Sequence, residues 1–120
     1  MKYIVDASVL LAVGRGEWVK IQLLGWHRKG DLAVPEPVVV HTAVEVRRIP
    51  KAGALRRWSM LVDAMPRALW TPAVTAKLLE LEATDLDAIT ASHALACDAK
   101  VLTMDGARYG GIPNVRFDEL

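Results

Sequence analysis

The sequence predicts an α/β fold in which a parallel sheet is covered by helices. Two observations favour this class. Short stretches rich in apolar and β-branched residues alternate along the 120 residues with longer stretches of helical character. The first short stretch, from Tyr3 to Val5, is apolar at consecutive positions, as in a strand buried on both faces of a sheet. Strands separated by helices form βαβ units, so the strands are expected to lie parallel within one domain, residues 1–120.

The first half of the chain is predicted to contain two strands and three helices. In order, these are a strand at 2–5, a helix through 10–13, a helix at 17–27, a strand at 32–34 and a helix at 37–48. Ser8 is the predicted cap of the first helix, because a hydroxyl accepts hydrogen bonds from free N–H groups at a helix start. Gly14 and Gly16 interrupt that helix. Pro37 suits the first turn of the third helix, and Pro50 ends it.

The second half repeats the alternation. The predicted elements are a helix at 54–65, a strand at 68–70, a helix at 72–81, a helix from 84 to about 96, a strand at 100–104 and a weak strand at 115–117. Thr71 followed by Pro72 has the pattern of a helix cap and first helical residue. Thr84 with Asp87 three residues later resembles a capping box.

Composition narrows the class of protein. Apolar residues make up 52% of the chain and the net charge is +1, which suits a globular protein and does not by itself indicate nucleic acid. The apolar run 5–13 contains Asp6 and is too short to cross a membrane. No signal peptide is expected, since the start leads directly into a strand. The single cysteine, Cys97, is consistent with a reducing, cytoplasmic location.

Charge is unevenly distributed along the chain. Residues 47–67 contain six basic side chains and one acid, whereas residues 80–87 contain four acids and no base. A basic flank beside an acidic pocket suits an enzyme that acts on a phosphodiester backbone. Trp26 and Trp58 also stand beside basic residues, a pairing that can stack bases and hold phosphates. Ordinary solvated helix faces and buried tryptophans explain the same patterns, and both interpretations remain open.

Four acidic residues stand where strands end or where helix-forming stretches lie. They are Asp6, Glu45, Asp87 and Asp105. Functional groups gather at the carboxyl ends of strands in parallel sheets, and converging carboxylates repel one another unless a cation lies between them. Oxygen ligands suit Mg²⁺ or Mn²⁺, and the chain has no Cys and His pattern typical of zinc. The sequence therefore predicts a divalent-metal site if the fold brings the four acids together.

Each acid also has a simpler interpretation. Asp87 would serve as the capping partner of Thr84, and Asp105 before a glycine is common in turns. Glu45 would be one solvated charge on a helix. Asp6 is harder to explain in this way, because a carboxylate that ends a buried strand is costly without a partner.

Residues 4–11, 45–48, 87–91 and 102–105 form an ordered set of motifs that spans essentially the whole chain. This set resembles the motifs of PIN-domain ribonucleases, in particular the VapC-like toxins of type II toxin–antitoxin modules. The resemblance implies a three-layer α/β/α sandwich with a parallel sheet. It also implies a Mg²⁺- or Mn²⁺-dependent endoribonuclease with an RNA substrate, a cognate antitoxin partner and a homodimeric state.

The resemblance also implies roles for particular residues. Asp6 would be the central metal ligand, Asp87 the second and Asp105 a third that often acts through water. Ser8 matches a hydroxyl residue that supports the central acid, and Thr103 holds a similar position beside the last acid. The remaining acidic position falls on His41 when counted from Pro37 and on Glu45 when counted back from residues 47–48. Glu45 is favoured, because a hard cation prefers carboxylate over imidazole.

Other functions remain possible from the sequence. If His41 holds the fourth position, the chain would be a catalytically degenerate PIN domain that binds RNA or protein. A receiver-like signalling module would need adjacent acids after its first strand and a lysine near its end. A phosphatase with an aspartyl nucleophile would need a second acid two residues after Asp6, where Ser8 stands.

Overall fold

The computed structural model describes residues 2–120 and contains one five-stranded sheet. The strands are β1 Tyr3–Val5, β2 Leu32–Pro35, β3 Arg67–Ala68, β4 Lys100–Thr103 and β5 Phe117–Glu119. They lie in the order β3-β2-β1-β4-β5, and each neighbouring pair is parallel. The predicted parallel α/β class is therefore confirmed, with β1 at the centre of the sheet.

Helices connect the strands and cover both faces of the sheet, as the three-layer prediction requires. They are α1 Ala7–Gly14, α2 Val19–His27, α3 Glu36–Val46, α4 Ala54–Ala64, α5 Pro72–Leu81 and α6 Leu86–Cys97, with a 3₁₀ turn at Gly106–Tyr109. The helices α1, α2, α3 and α4 share one core with one face of the sheet. The opposite face packs against α6, which in turn pairs with α5.

Successive side chains of β1 serve the two cores. Val5 points into the larger core formed with the first four helices, and Ile4 points into the smaller one; both are fully buried. This follows from the alternation of side chains along a strand. The smaller core contains several alanines of α6 and its surroundings, so this helix lies close to the sheet. Burial on both faces explains the continuous apolar character of β1.

Two predicted helix caps are wrong. Asp6, not Ser8, caps α1: its backbone is extended (φ −95°, ψ 175°) and its side chain accepts from the Val9 N–H. Asp85, not Thr84, caps α6, and its Oδ1 accepts from Ala88 N at 2.8 Å. In both cases the cap is the residue at which extended backbone meets the helix. Asp85 therefore caps α6, and the predicted capping role of Asp87 is not needed.

Several element boundaries also differ from prediction. β3 ends at Ala68 instead of residue 70, and β5 lies at Phe117–Glu119, two residues later than expected. The register of β5 is set by pairing with β4, in which Leu102 faces Asp118. A weak edge strand has little local signal, so tertiary pairing decides its position. No helix within residues 2–120 is long and apolar enough to cross a membrane.

Arg57 joins α4 to the end of α1. Its guanidinium donates to the carbonyl of Gly14 through Nη2 at 2.8 Å and Nε at 3.2 Å, and to the carbonyl of Ala52 through Nη1 at 3.0 Å. Terminal helix carbonyls need such donors. Gly14 itself allows close packing, since a Cβ there would lie 2.7 Å from a methyl group of Val46. This arginine of the basic segment therefore has a structural role.

His93 on α6 is a buried histidine whose two ring nitrogens have no hydrogen-bond partner within the described chain. The edge of one ring meets the face of the other where it packs against Trp70, with ring centroids 5.4 Å apart. Burial lowers the pKa of His93, because the charged imidazolium loses its hydration. The folded protein thus keeps this imidazole neutral.

We expect the protein to lose stability as pH falls below about 6.5, where His93 takes up a proton in the unfolded chain more readily than in the folded one. Urea denaturation between pH 5 and 8 measures the slope. His93→Phe, which keeps an aromatic ring beside Trp70, should give a shallower decline than the wild type. Equal slopes for the two proteins would contradict the assignment.

Candidate metal centre

Three of the predicted acids lie at the carboxyl edge of the sheet. Asp6 directly follows β1, and Asp105 stands two residues beyond β4. β1 and β4 are parallel neighbours, with Val5 opposite Leu102, so their ends meet. Asp87 lies in the first turn of α6. The charges of Asp6 and Asp105 both raise the pKa of Asp87, so both acids lie within electrostatic range of it, and we call the three the acidic cluster.

Asp6 is buried, with 1% of its surface exposed, and protein donors surround its carboxylate. Oδ1 accepts from Ser8 Oγ at 2.6 Å and from Val9 N at 3.3 Å. Oδ2 accepts from the hydroxyl of Tyr109 at 2.8 Å. A buried charged group needs such partners to offset its lost hydration. The carboxylate is therefore held in one orientation from both sides.

Ser8 and Thr103 link Asp6 to the loop after β4. Ser8 Oγ accepts from Met104 N at 2.9 Å and lies 3.3 Å from Thr103 Oγ1. Thr103 Oγ1 in turn accepts from Asp105 N at 3.0 Å. The two hydroxyls thus connect the backbone that carries Asp105 to the carboxylate of Asp6. The hydrogen bond from Ser8 to Asp6 is the kind of support that the family resemblance implies for this hydroxyl.

Asp87 is only partly exposed, and its surroundings disfavour its charge. Burial raises the pKa of this carboxyl group, and the neighbouring carboxylates of Asp6, Asp85 and Asp105 raise it further. Arg108 opposes the shift, with Nε 3.8 Å from Asp87 Oδ2. Burial and three neighbouring carboxylates outweigh the opposing charge of Arg108, and a position of this kind favours a cation.

A cavity of about 250 Å³ opens beside Asp87. Its lining consists of Ala7, Leu11, His41, Asp85, Leu86, Asp87 and Arg108. Of the two residues proposed for the remaining acidic position, His41 lies at this cavity. Glu45, one turn further along α3, accepts from Arg48 Nη1 at 3.0 Å. The charges of Asp6 and Asp105 act on Asp87, whereas Glu45 is paired with Arg48; the ligand role of all four acids stays a prediction.

The donor set suits a hydrated hard cation. Among residues 2–120, no three His, Cys, Asp or Glu side chains stand close enough to enclose a metal ion by themselves. Mg²⁺ commonly keeps several waters and uses only one or two carboxylates of the protein. A cluster of carboxylates beside an open cavity meets that requirement, and oxygen donors favour Mg²⁺ or Mn²⁺ over zinc. The donor atoms are thus of the type that the predicted ion prefers, and its binding stays a prediction.

Solved structures resemble this fold over the full chain. A chain of VapBC2 from Rickettsia felis, bound to a DNA fragment from its promoter, matches with a TM-score of 0.81 and 17% identity, covering 100% of this chain and 99% of the other. The chain has the PIN-like fold. A toxin–antitoxin complex from Klebsiella pneumoniae (TM-score 0.67, 14% identity, 99% and 100% coverage) supports the PIN-like assignment.

VapBC-1 from nontypeable Haemophilus influenzae also has the PIN-like architecture, with a TM-score of 0.73 and 11% identity over 99% and 98% of the two chains. No protein-family model and no curated protein sequence matches this chain. At these low identities the PIN-like assignment concerns the fold, and the local chemistry has to be argued from the residues of this chain.

Sequence reasoning missed three residues of the cluster. Tyr109 donates to Asp6 across 103 positions of sequence, and Arg108 and Asp85 line the cavity with Asp87. Asp85 lies in the first turn of a predicted helix, and Arg108 and Tyr109 lie between two predicted strands. Charged residues and tyrosines are common in such segments, so their residue types alone do not indicate a functional role. The short spacing from Asp105 to Arg108 and Tyr109 is the one sequence signal that suggests a shared edge of the sheet.

We expect Asp87→Asn to raise the free energy of unfolding of the metal-free protein at neutral pH. The raised pKa of Asp87 means that its ionised form is less favourable in the folded state, so removing the charge removes that cost. Denaturant unfolding in EDTA measures the change, with exposed Asp63→Asn on α4 as the matched control. A loss of stability in Asp87→Asn alone would show that the cluster is not crowded.

Proposed function

We propose that this chain is a Mg²⁺- or Mn²⁺-dependent endoribonuclease, the toxin of a toxin–antitoxin pair, with residues 1–120 forming one nuclease domain. The observation that carries this proposal is the convergence of Asp6, Asp87 and Asp105 at the carboxyl edge of a PIN-like sheet, with Asp6 buried and oriented by hydrogen bonds. The hydrogen bonds offset the burial of Asp6, and the crowding of further acids around Asp87 is the feature that a bound cation would relieve.

The side chains divide the work of binding and orientation. Asp6 and Asp87 would hold the metal directly, and Asp105, which is more exposed, would act through water. When bound, the ion would activate water and neutralise charge on the scissile phosphate. Ser8 and Thr103 fix the positions of Asp6 and Asp105 through the hydrogen bonds described above. Glu45 would join the ligands only if its side chain left Arg48 and turned towards the cavity.

Arg108 is suited to contact the RNA backbone. Its guanidinium lines the same cavity as Asp87 and is about half exposed, so a phosphate oxygen can reach it. Arginine binds phosphate through charge-assisted hydrogen bonds. The basic residues Arg47, Lys51 and Arg56 line a cavity at the C-terminal end of α3, an 11-residue helix about 16 Å long whose other end follows β2. They would hold RNA further from the cleavage point.

An apolar groove between α2 and α4 is the proposed site for the antitoxin. It has a volume of about 180 Å³ and is lined by Val13, Lys20, Leu24, His27, Arg57, Met60, Leu61 and Ala64. Met60 in its lining is strongly exposed, and Trp18 and Ile21, also strongly exposed, line a neighbouring cavity that shares Lys20 and Arg57 with the groove. Exposed apolar surface marks interaction sites, and a groove between helices suits an amphipathic partner helix.

A catalytically degenerate PIN-like module is the second candidate function. The observation that favours it is His41 at the cavity, where an additional carboxylate would have strengthened binding of a hard cation. Such a module would bind RNA or protein without cleaving RNA.

The decisive experiment is cleavage of structured and unstructured RNA by the purified protein in Mg²⁺ and in Mn²⁺. We expect cleavage that falls to the EDTA level in Asp6→Asn, because the central ligand loses its charge. Glu45→Gln should retain activity, because the wild-type carboxylate of Glu45 pairs with Arg48. Absence of cleavage in a folded wild-type protein would favour the binding module instead.

The matched pair of glutamate and histidine variants separates the two assignments of the remaining position. Loss of cleavage in Glu45→Gln but not in His41→Ala would place Glu45 at the metal. The reverse result would give His41 a role in the reaction.

We expect the protein to form a homodimer through the exposed face of α3. Val40 and Val44 lie one turn apart and are 60% and 53% exposed. Light scattering should give twice the chain mass of 13.2 kDa, and Val44→Asp should shift it to the monomer. Leu79→Asp, at another exposed apolar position on α5, is the control. A dimer that persists in Val44→Asp would place the interface elsewhere.

A further inference from the structure

Tyr109 is a buried tyrosine that lies outside the four PIN-like sequence motifs, and its hydroxyl contacts the carboxylate of Asp6. It ends the 3₁₀ turn Gly106–Tyr109 and is 1% exposed. Its hydroxyl donates to Asp6 Oδ2 at 2.8 Å. In this pair the hydroxyl is the donor, because an ionised carboxylate only accepts.

Packing alone does not account for the hydroxyl. The ring lies in the smaller core with alanines such as Ala91 and Ala94, and 6.4 Å from the ring of Phe117. A phenylalanine would fill the same volume without a polar atom. A buried hydroxyl is tolerated only when it is hydrogen-bonded, and the partner of this one is Asp6.

The hydrogen bonds to Asp6 restrict how it can bind an ion. An ionised carboxylate offers about four lone-pair positions. Two on Oδ1 are used by Ser8 Oγ and Val9 N, and one on Oδ2 is used by Tyr109. One position remains, on Oδ2.

We propose that Tyr109 is a positioning residue that orients Asp6 and leaves one lone pair of Oδ2 free of protein donors, through which Asp6 would hold a metal ion. This inference rests on the metal site of the proposed function. Mg²⁺ and Mn²⁺ accept a carboxylate through one oxygen in octahedral geometry, whereas Ca²⁺ readily takes both oxygens of a carboxylate. Tyr109 therefore both tightens binding of the smaller ions and disfavours Ca²⁺.

The test is the metal affinity of Tyr109→Phe, which keeps the ring and removes the hydroxyl. Free Mn²⁺ is measured by electron paramagnetic resonance during titration, and Ca²⁺ is then added as competitor, so no activity is needed. We expect Mn²⁺ binding about 10- to 100-fold weaker than in the wild type, as for other residues that orient a ligand. We also expect a smaller preference for Mn²⁺ over Ca²⁺.

Tyr3→Phe is the matched control. Tyr3 also donates its hydroxyl to a carboxylate, Asp118 Oδ2 at 2.6 Å, but outside the acidic cluster. The Mn²⁺ affinity of Tyr3→Phe should equal that of the wild type. A purely structural role of Tyr109 would lower thermal stability in EDTA without changing the ratio of Mn²⁺ to Ca²⁺ affinity. Tyr109→Met, which lacks the hydroxyl and whose flexible side chain fills much of the ring's volume, replaces Tyr109→Phe if that variant does not fold.

The outcomes separate this inference from the proposed function. If the wild type binds Mn²⁺ and both its affinity and its ion preference are unchanged in Tyr109→Phe, the role of Tyr109 is overturned while the metal site stands. If the wild type binds no Mn²⁺, the metal-dependent function itself is overturned, and the role of Tyr109 with it.

Discussion

The arrangement of the candidate site depends on one buried charge, the carboxylate of Asp6 at the end of the central strand. β1 is the central strand and is buried on both faces, so Asp6, the residue that follows it, is almost completely buried. A buried charge requires hydrogen-bond donors. Ser8 and Val9 donate from nearby in the sequence, and Tyr109 donates from 103 positions away. The same bonds tie α1, the loop after β4 and the 3₁₀ turn to one point, so satisfying the charge also builds the edge of the sheet.

Asp87 shows the cost of assembling acids at that edge. Its carboxyl group is disfavoured in the ionised form by burial and by its acidic neighbours, with Arg108 as an opposing charge. Local strain of this electrostatic kind is typical of functional sites, where a ligand relieves it. A fold selected for stability alone would have little reason to retain it. Asp85 shows the contrasting case of an acid in the same segment that is used as a helix cap.

Much of the fold was predictable because its signals are local. Strand-like and helix-like stretches alternate, and prolines mark helix starts at α3 and α5, so the parallel α/β class and most elements follow from short segments. The errors have a common cause. Ser8 and Thr84 were predicted as caps by residue type, whereas Asp6 and Asp85 occupy the extended positions where the chain turns into each helix. That position depends on where the sheet ends, which is a property of the assembled fold.

The sequence by itself determined which chemical groups are available: three aspartates, two supporting hydroxyls and two candidates for a further position, in an order that resembles PIN-domain motifs. Only the tertiary structure decided which of them meet. It placed His41 at the cavity and paired Glu45 with Arg48, although the two residues are one helical turn apart. It also brought Tyr109 to Asp6. Short-range patterns specify the type and the face of each element, but contacts between residues about a hundred positions apart arise from the packing of whole helices on the sheet.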